Sequence, residues 1–181
     1  MTLEAAYQSA VARRRGFRLP GYRTLADAGV DGNWVSPIQM TSGNLTGPMF
    51  ISKDWLDYPS TLRHRDVLRK AGRLPNNPFN KVMDKVLVRA GLTRADIYIT
   101  PIFHLLTASR SSVIPPADAR ASFEAVVQHE LMGRRPIALG TDAARVLHHF
   151  GIAHIRTLHP SARTGSFDEK ADQISEALLA A

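Results

Sequence analysis

The chain has 181 residues, 44% of them hydrophobic, which suits a single domain with a sizeable core. It holds no cysteine, which excludes disulfides, thiolate zinc sites and cysteine-held iron–sulfur clusters and fits a reducing, cytoplasmic compartment. A formal net charge of +7 and a sequence pI of about 10.2 point to a polyanionic partner, nucleic acid first, with a merely solvated basic surface as the plainer alternative.

The first predicted element is a helix over 2–15, built from good helix formers and ended by Gly16. Residues 17–46 are rich in Gly, Pro, Asn, Ser and Thr and read as loop with short extended pieces. Residues 1–46 therefore form a helix-and-loop extension of one domain spanning 1–181. An apolar strand over 48–52 follows and runs straight into Lys53, Asp54 and Trp55. An acid at that place is either a helix cap or a working carboxylate. A basic helix is expected over 60–72, capped by Ser60 and stopped by Gly72.

In "LPNNPFNKVMDKVLVRAGL", Val82, Met83, Val86, Leu87 and Ala90 recur at helical spacing and Gly91 supplies the stop. "DIYIT" (96–100) is a second buried strand, ended by Pro101. Residues 117–132 form an amphipathic helix with Phe123, Val126, Val127 and Leu131 on one side. Ile137–Leu139 make a third strand, Gly140 a turn, and Thr141 or Asp142 the cap of a helix reaching Gly151. A fourth strand, 154–158, enters the loop "HPSAR", and a helix over 167–180 closes the chain. No run approaches the roughly 18 apolar residues of a membrane span, and the N-terminus lacks a signal-peptide core, so no membrane partner is expected.

Strands alternating with helical crossovers predict a three-layer α/β/α fold around a central four-stranded, mostly parallel sheet. In such sheets ligands bind beyond the carboxyl ends of the strands. Those ends carry Lys53, Asp54 and Trp55; Pro101, Phe103 and His104; Gly140, Thr141 and Asp142; and His159, Ser161, Ala162 and Arg163. Connectivity places all four on one edge, which gathers a carboxylate, histidines, hydroxyls and aromatic surface into one candidate cleft. His148, His149, His154 and His159 match no zinc-site spacing, so no metal and no cofactor is expected.

The ordered set "FISKDW", "DIYITPIFHLL", "RRPIALGTDAARVL" and "LHPSAR", spanning roughly Ser42 to Arg163, resembles the motifs of the uracil-DNA glycosylase superfamily, especially bacterial branches ending in His-Pro-Ser. The resemblance implies a bacterial or phage-encoded, cytoplasmic, monomeric DNA-repair enzyme. It would flip a base out of DNA and hydrolyse its N-glycosidic bond with water. By position, Asp54 would stabilise the sugar cation and orient the water, and His159 would donate to the departing base. Ser161, Ala162, Arg163 and Thr141 would lie along the DNA. Three departures bear on the base: Ser52 replaces the first motif's glycine, Trp55 its proline, and Pro101 the asparagine that reads uracil. Base binding then falls to Trp55, Pro101, Phe103, His104 and Lys53, with a 5-substituted or hypermodified pyrimidine as a possible target beside uracil. Two other readings stay open: a DNA or modified-base binder that keeps the fold, and an N-glycoside hydrolase of free nucleosides or nucleotides.

Overall fold

The computed structural model describes residues 2–181. Its sheet has four parallel strands, β1 (Met49–Ser52), β2 (Tyr98–Pro101), β3 (Ile137–Leu139) and β4 (Ile155–Thr157), in the order β2-β1-β3-β4. β1, β2 and β3 are buried along their whole length, as continuous apolar runs require when helices cover both faces.

The twofold alternation of strand side chains divides the core. Phe50, Ile99, Ile137 and Leu139 pack with Val82, Met83, Val86 and Ile174, from helices Pro78–Ala90 and Phe167–Leu179. Met49, Ile51, Tyr98 and Ala138 pack with Phe123, Val127, Ala143 and Leu147, from the other face. There the helices are Thr141–His149 and a run that begins at Pro116–Ser122, passes through a π-turn at Phe123–Val127 and ends at Gln128–Glu130. The three-layer α/β/α arrangement expected from the sequence is the one observed. The N-terminal helix Leu3–Gly16 packs Ala10 and Val11 against Val126, and Arg14 reaches Asp31 at 2.6 Å. The segment 17–46 contributes Ile38, on the 3₁₀ turn Pro37–Met40, to the main core.

Two local expectations change. The basic segment forms two short helices, Tyr58–Arg63 and Arg65–Ala71, separated at His64. The cap of the first is Asp57, which accepts from the Ser60 amide at 3.0 Å, rather than Ser60 itself. At the start of Thr141–His149 the cap position belongs to Gly140, with no side-chain cap bond from Thr141 or Asp142.

The order of strands positions the site. The crossover from β1 leads to β2 on one side of the sheet, and that from β3 leads to β4 on the other. The helices following β1 and β3 lie on opposite faces, so the chain leaves the carboxyl ends of these two strands in opposite directions and opens a crevice there, the usual binding place in open parallel sheets. Lys53 after β1 and Asp142 after β3 face each other across it, with Nζ and Oδ2 3.8 Å apart.

Candidate active site

A cavity of about 460 Å³ opens at this edge. Asp54, Trp55, Pro101, His159 and Ser161 line it, together with groups the strand-end argument did not include, among them Arg63, Arg73, Phe79, Asn80 and Arg110. Its volume lies in the range that encloses a whole small-molecule ligand.

Asp54 stands two residues beyond the end of β1. Burial raises its pKa above the ordinary aspartate value, against the opposing pull of the neighbouring Lys53 charge. Helix capping is done by Asp57, three residues on, so Asp54 is released from the structural role that an acid after a strand most often has.

His159 stands at the end of the segment leaving β4. The Ser161 amide donates to its Nδ1 at 3.1 Å. An imidazole nitrogen that accepts an N–H cannot carry a proton, so the neutral ring is the tautomer with the hydrogen on Nε2. Burial, with the Lys53 and Lys170 charges adding to it, pushes the His159 pKa down to about 4. The ring is therefore neutral at pH 7 and offers one N–H. It also lies against the Phe79 ring, centroids 5.6 Å apart.

The loop carrying His159 is held from two directions. Gly140, at φ 94°, lets the end of β3 come so near that a β-carbon there would stand 3.1 Å from the His159 Cβ. Its amide also donates to the Thr157 carbonyl at 2.9 Å. Lys170, almost wholly buried on the last helix, donates to the Ala162 carbonyl from behind the loop. Neither support is evident from sequence, because a glycine in a turn and a lysine in a helix have commoner explanations.

The remaining expected residues separate. Trp55 is a fixed wall: its indole N–H donates to the Gly72 carbonyl at 3.2 Å and its ring packs on the core. Pro101 lines the cavity. Lys53 does not line it; it spans the crevice toward Asp142 and acts on Asp54 and His159 through its charge. Ser161 lines the cavity, but its amide is taken by His159. Thr141, Ser161 and Arg163 are exposed around the crevice; Thr141 accepts from Arg156 at 3.1 Å, and the Ala162 amide closes a turn onto the His159 carbonyl.

Phe103 and His104 correct the expectation that they meet a base. Pairing with β1 continues past Pro101, because Ile102 and Phe103 donate to the Ser52 and Lys53 carbonyls at 2.8 and 3.1 Å. The chain thus stays tucked at the sheet edge instead of rising over the cavity. Phe103 is 1% exposed and packs edge-on against Tyr22, at 4.7 Å between centroids. His104 is buried beside the wholly buried Glu130, with its Nε2 3.3 Å from the carboxylate. Glu130 also accepts from Tyr98, from Thr100 at 3.0 Å and from Gln39 at 3.0 Å. This polar cluster is structural bonding beneath the edge strand and is separate from the cavity.

Among the described residues no group of His, Cys, Asp and Glu has the arrangement of a metal site, and no helix is long and apolar enough to cross a membrane. Comparison with known protein families and with curated proteins finds no match for this chain.

Proposed function

We propose that the chain is a DNA glycosylase that hydrolyses the N-glycosidic bond of uracil or a modified pyrimidine turned out of the duplex into the cavity. One observation carries this reading. A partly buried carboxylate and a tautomer-locked histidine, from opposite halves of the sheet, line one cavity beside an aromatic face. The net charge of +7 supports a nucleic-acid substrate.

The chemistry divides between the two groups. As the bond between C1′ and the base nitrogen breaks, the base keeps the electron pair and the sugar becomes cationic. Asp54, ionised, stabilises that cation and orients water toward C1′; the added water then gives up a proton through Asp54 to solvent, and the released base anion takes up a proton from solvent. The His159 Nε2–H donates to the oxygen where negative charge collects on the base. A preorganised donor of this kind contributes on the order of 10²–10³ in rate. Phe79 offers the stacking surface. The flipped base would otherwise lose its stacking partners, and base–aromatic stacking contributes about 1–3 kcal/mol.

Activity requires ionised Asp54, so it falls as pH drops through a pKa above the ordinary aspartate value. His159 stays neutral until about pH 4 and adds no limb nearer neutrality. The test is abasic-site formation on oligonucleotides carrying uracil, 5-hydroxymethyluracil and other modified pyrimidines, single- and double-stranded. The reading fails if no abasic site forms on any of them.

A further inference from the structure

Three arginines line the cavity, Arg63, Arg73 and Arg110, and among the described residues none is within ion-pair distance of a carboxylate. Arg14, Arg89 and Arg94, by contrast, hold Asp31, Asp168 with Asp172, and Asp84 at 2.6–2.8 Å. Asp54 and Asp57 line the same cavity yet stand beyond 4.0 Å of all three free guanidiniums.

Arg73 is the innermost case. Its Nε and Nη1 are buried with no hydrogen-bond partner. Burying charged donors without an acceptor is costly, so such a group facing a cavity calls for a partner. Arg94, near enough to repel Arg73, has its own charge met by Asp84 and leaves that of Arg73 unmet. A second atom points the same way. Asn80 is 2% exposed, and its amide nitrogen donates to the Leu74 carbonyl and to Asn77 Oδ1, both at 2.9 Å. Those bonds fix the amide's orientation and leave Oδ1 as a buried acceptor with no partner.

We infer that the cavity's ligand carries an oxyanion, a carboxylate on the base or the phosphate of a nucleotide, bound by Arg73, while Asn80 Oδ1 accepts an N–H of the ligand. The inference rests on the cavity being a nucleobase site and names the class of ligand it takes. Arg63 and Arg110 add long-range attraction. The cavity of about 460 Å³ leaves room for such a group beside a pyrimidine.

Calorimetric titration tests this without turnover, and so apart from the glycosylase reading. The ligands are uracil against 5-carboxyuracil, and deoxyuridine against its 5′-monophosphate. At least one charged ligand is expected to bind about ten- to a hundredfold tighter than its neutral counterpart, the range for a charge-assisted hydrogen bond. Arg73→Gln is expected to abolish that preference. A preference for 5-carboxyuracil identifies a base substituent, and one for the monophosphate identifies a nucleotide phosphate. Equal affinities within both pairs in the wild-type protein, no binding of any of the four at millimolar concentration, or a preference that survives Arg73→Gln overturns the inference. The wild-type comparison decides even if the variant does not fold.

Discussion

Replacing Gly140 by alanine perturbs the site from behind, at a residue that does not itself line the cavity. The backbone there, at φ 94° and ψ 175°, lies in a region almost reserved for glycine, and a side chain held in such a region costs about 1–3 kcal/mol. The added methyl also meets the His159 Cβ at 3.1 Å, closer than packed carbons normally stand. Either the end of β3 or the His159 loop must move, and β3 is held on both sides by β1 and β4. For a chain of 181 residues, about 2 kcal/mol corresponds to a fall in Tm of roughly 4–8 °C. Displacing His159 by even a fraction of an ångström should also lower kcat, since misplacements near 1 Å cost on the order of 10²-fold. Thermal unfolding and single-turnover base release measure the two effects. Wild-type Tm together with wild-type rate in Gly140→Ala would refute the claim that this glycine sets the position of His159.

Two further predictions concern charge around the site. Lys53 lowers the pKa of both Asp54 and His159, so Lys53→Met should raise both. Because the rate depends on ionised Asp54, the acid limb of the pH–rate profile should then move to higher pH; an unmoved limb would remove Lys53 from the electrostatics of the site. Lys170→Met keeps the buried stem but deletes the donor to the Ala162 carbonyl and a charge that depresses His159. It should raise the His159 pKa above about 4 in an NMR titration and reduce the rate without changing the cavity walls; an unchanged pKa would show that Lys170 does not act on the ring.

The sheet and its two helical layers were legible because each strand is a short apolar run bounded by Gly, Pro or polar residues, and the helices keep their apolar spacing. Asp54 and His159 were legible for a related reason: once strands are placed in order, chain connectivity decides which ends meet. That logic looked only at strand ends, and so it passed over Phe79, Asn80 and Arg73. These enter the cavity from the start of helix Pro78–Ala90 and the turn before it. The Asn77 cap and Pro78 at the first helical position do announce where that helix begins. Nothing local says that its first turn faces a crevice between other strands. Phe103 and His104 failed for the opposite reason. They follow a strand end in sequence, but pairing to β1 continues past Pro101 and draws them under the sheet edge. Glu130 escaped notice because a glutamate near the end of an amphipathic helix usually faces water, and only the hydroxyls and amide gathered from β2 and from the 3₁₀ turn Pro37–Met40 explain its burial.

The most direct test of the account is Asp54→Asn, which keeps the side chain's shape and removes the charge that the sugar cation needs. The wild-type protein should generate abasic sites in an oligonucleotide carrying uracil or a modified pyrimidine. Asp54→Asn, with its Tm unchanged or raised because a partly buried charge is gone, should lose that activity by about 10² or more. Base release by Asp54→Asn at the wild-type rate, or no base release by the wild-type protein from any modified pyrimidine, would contradict it.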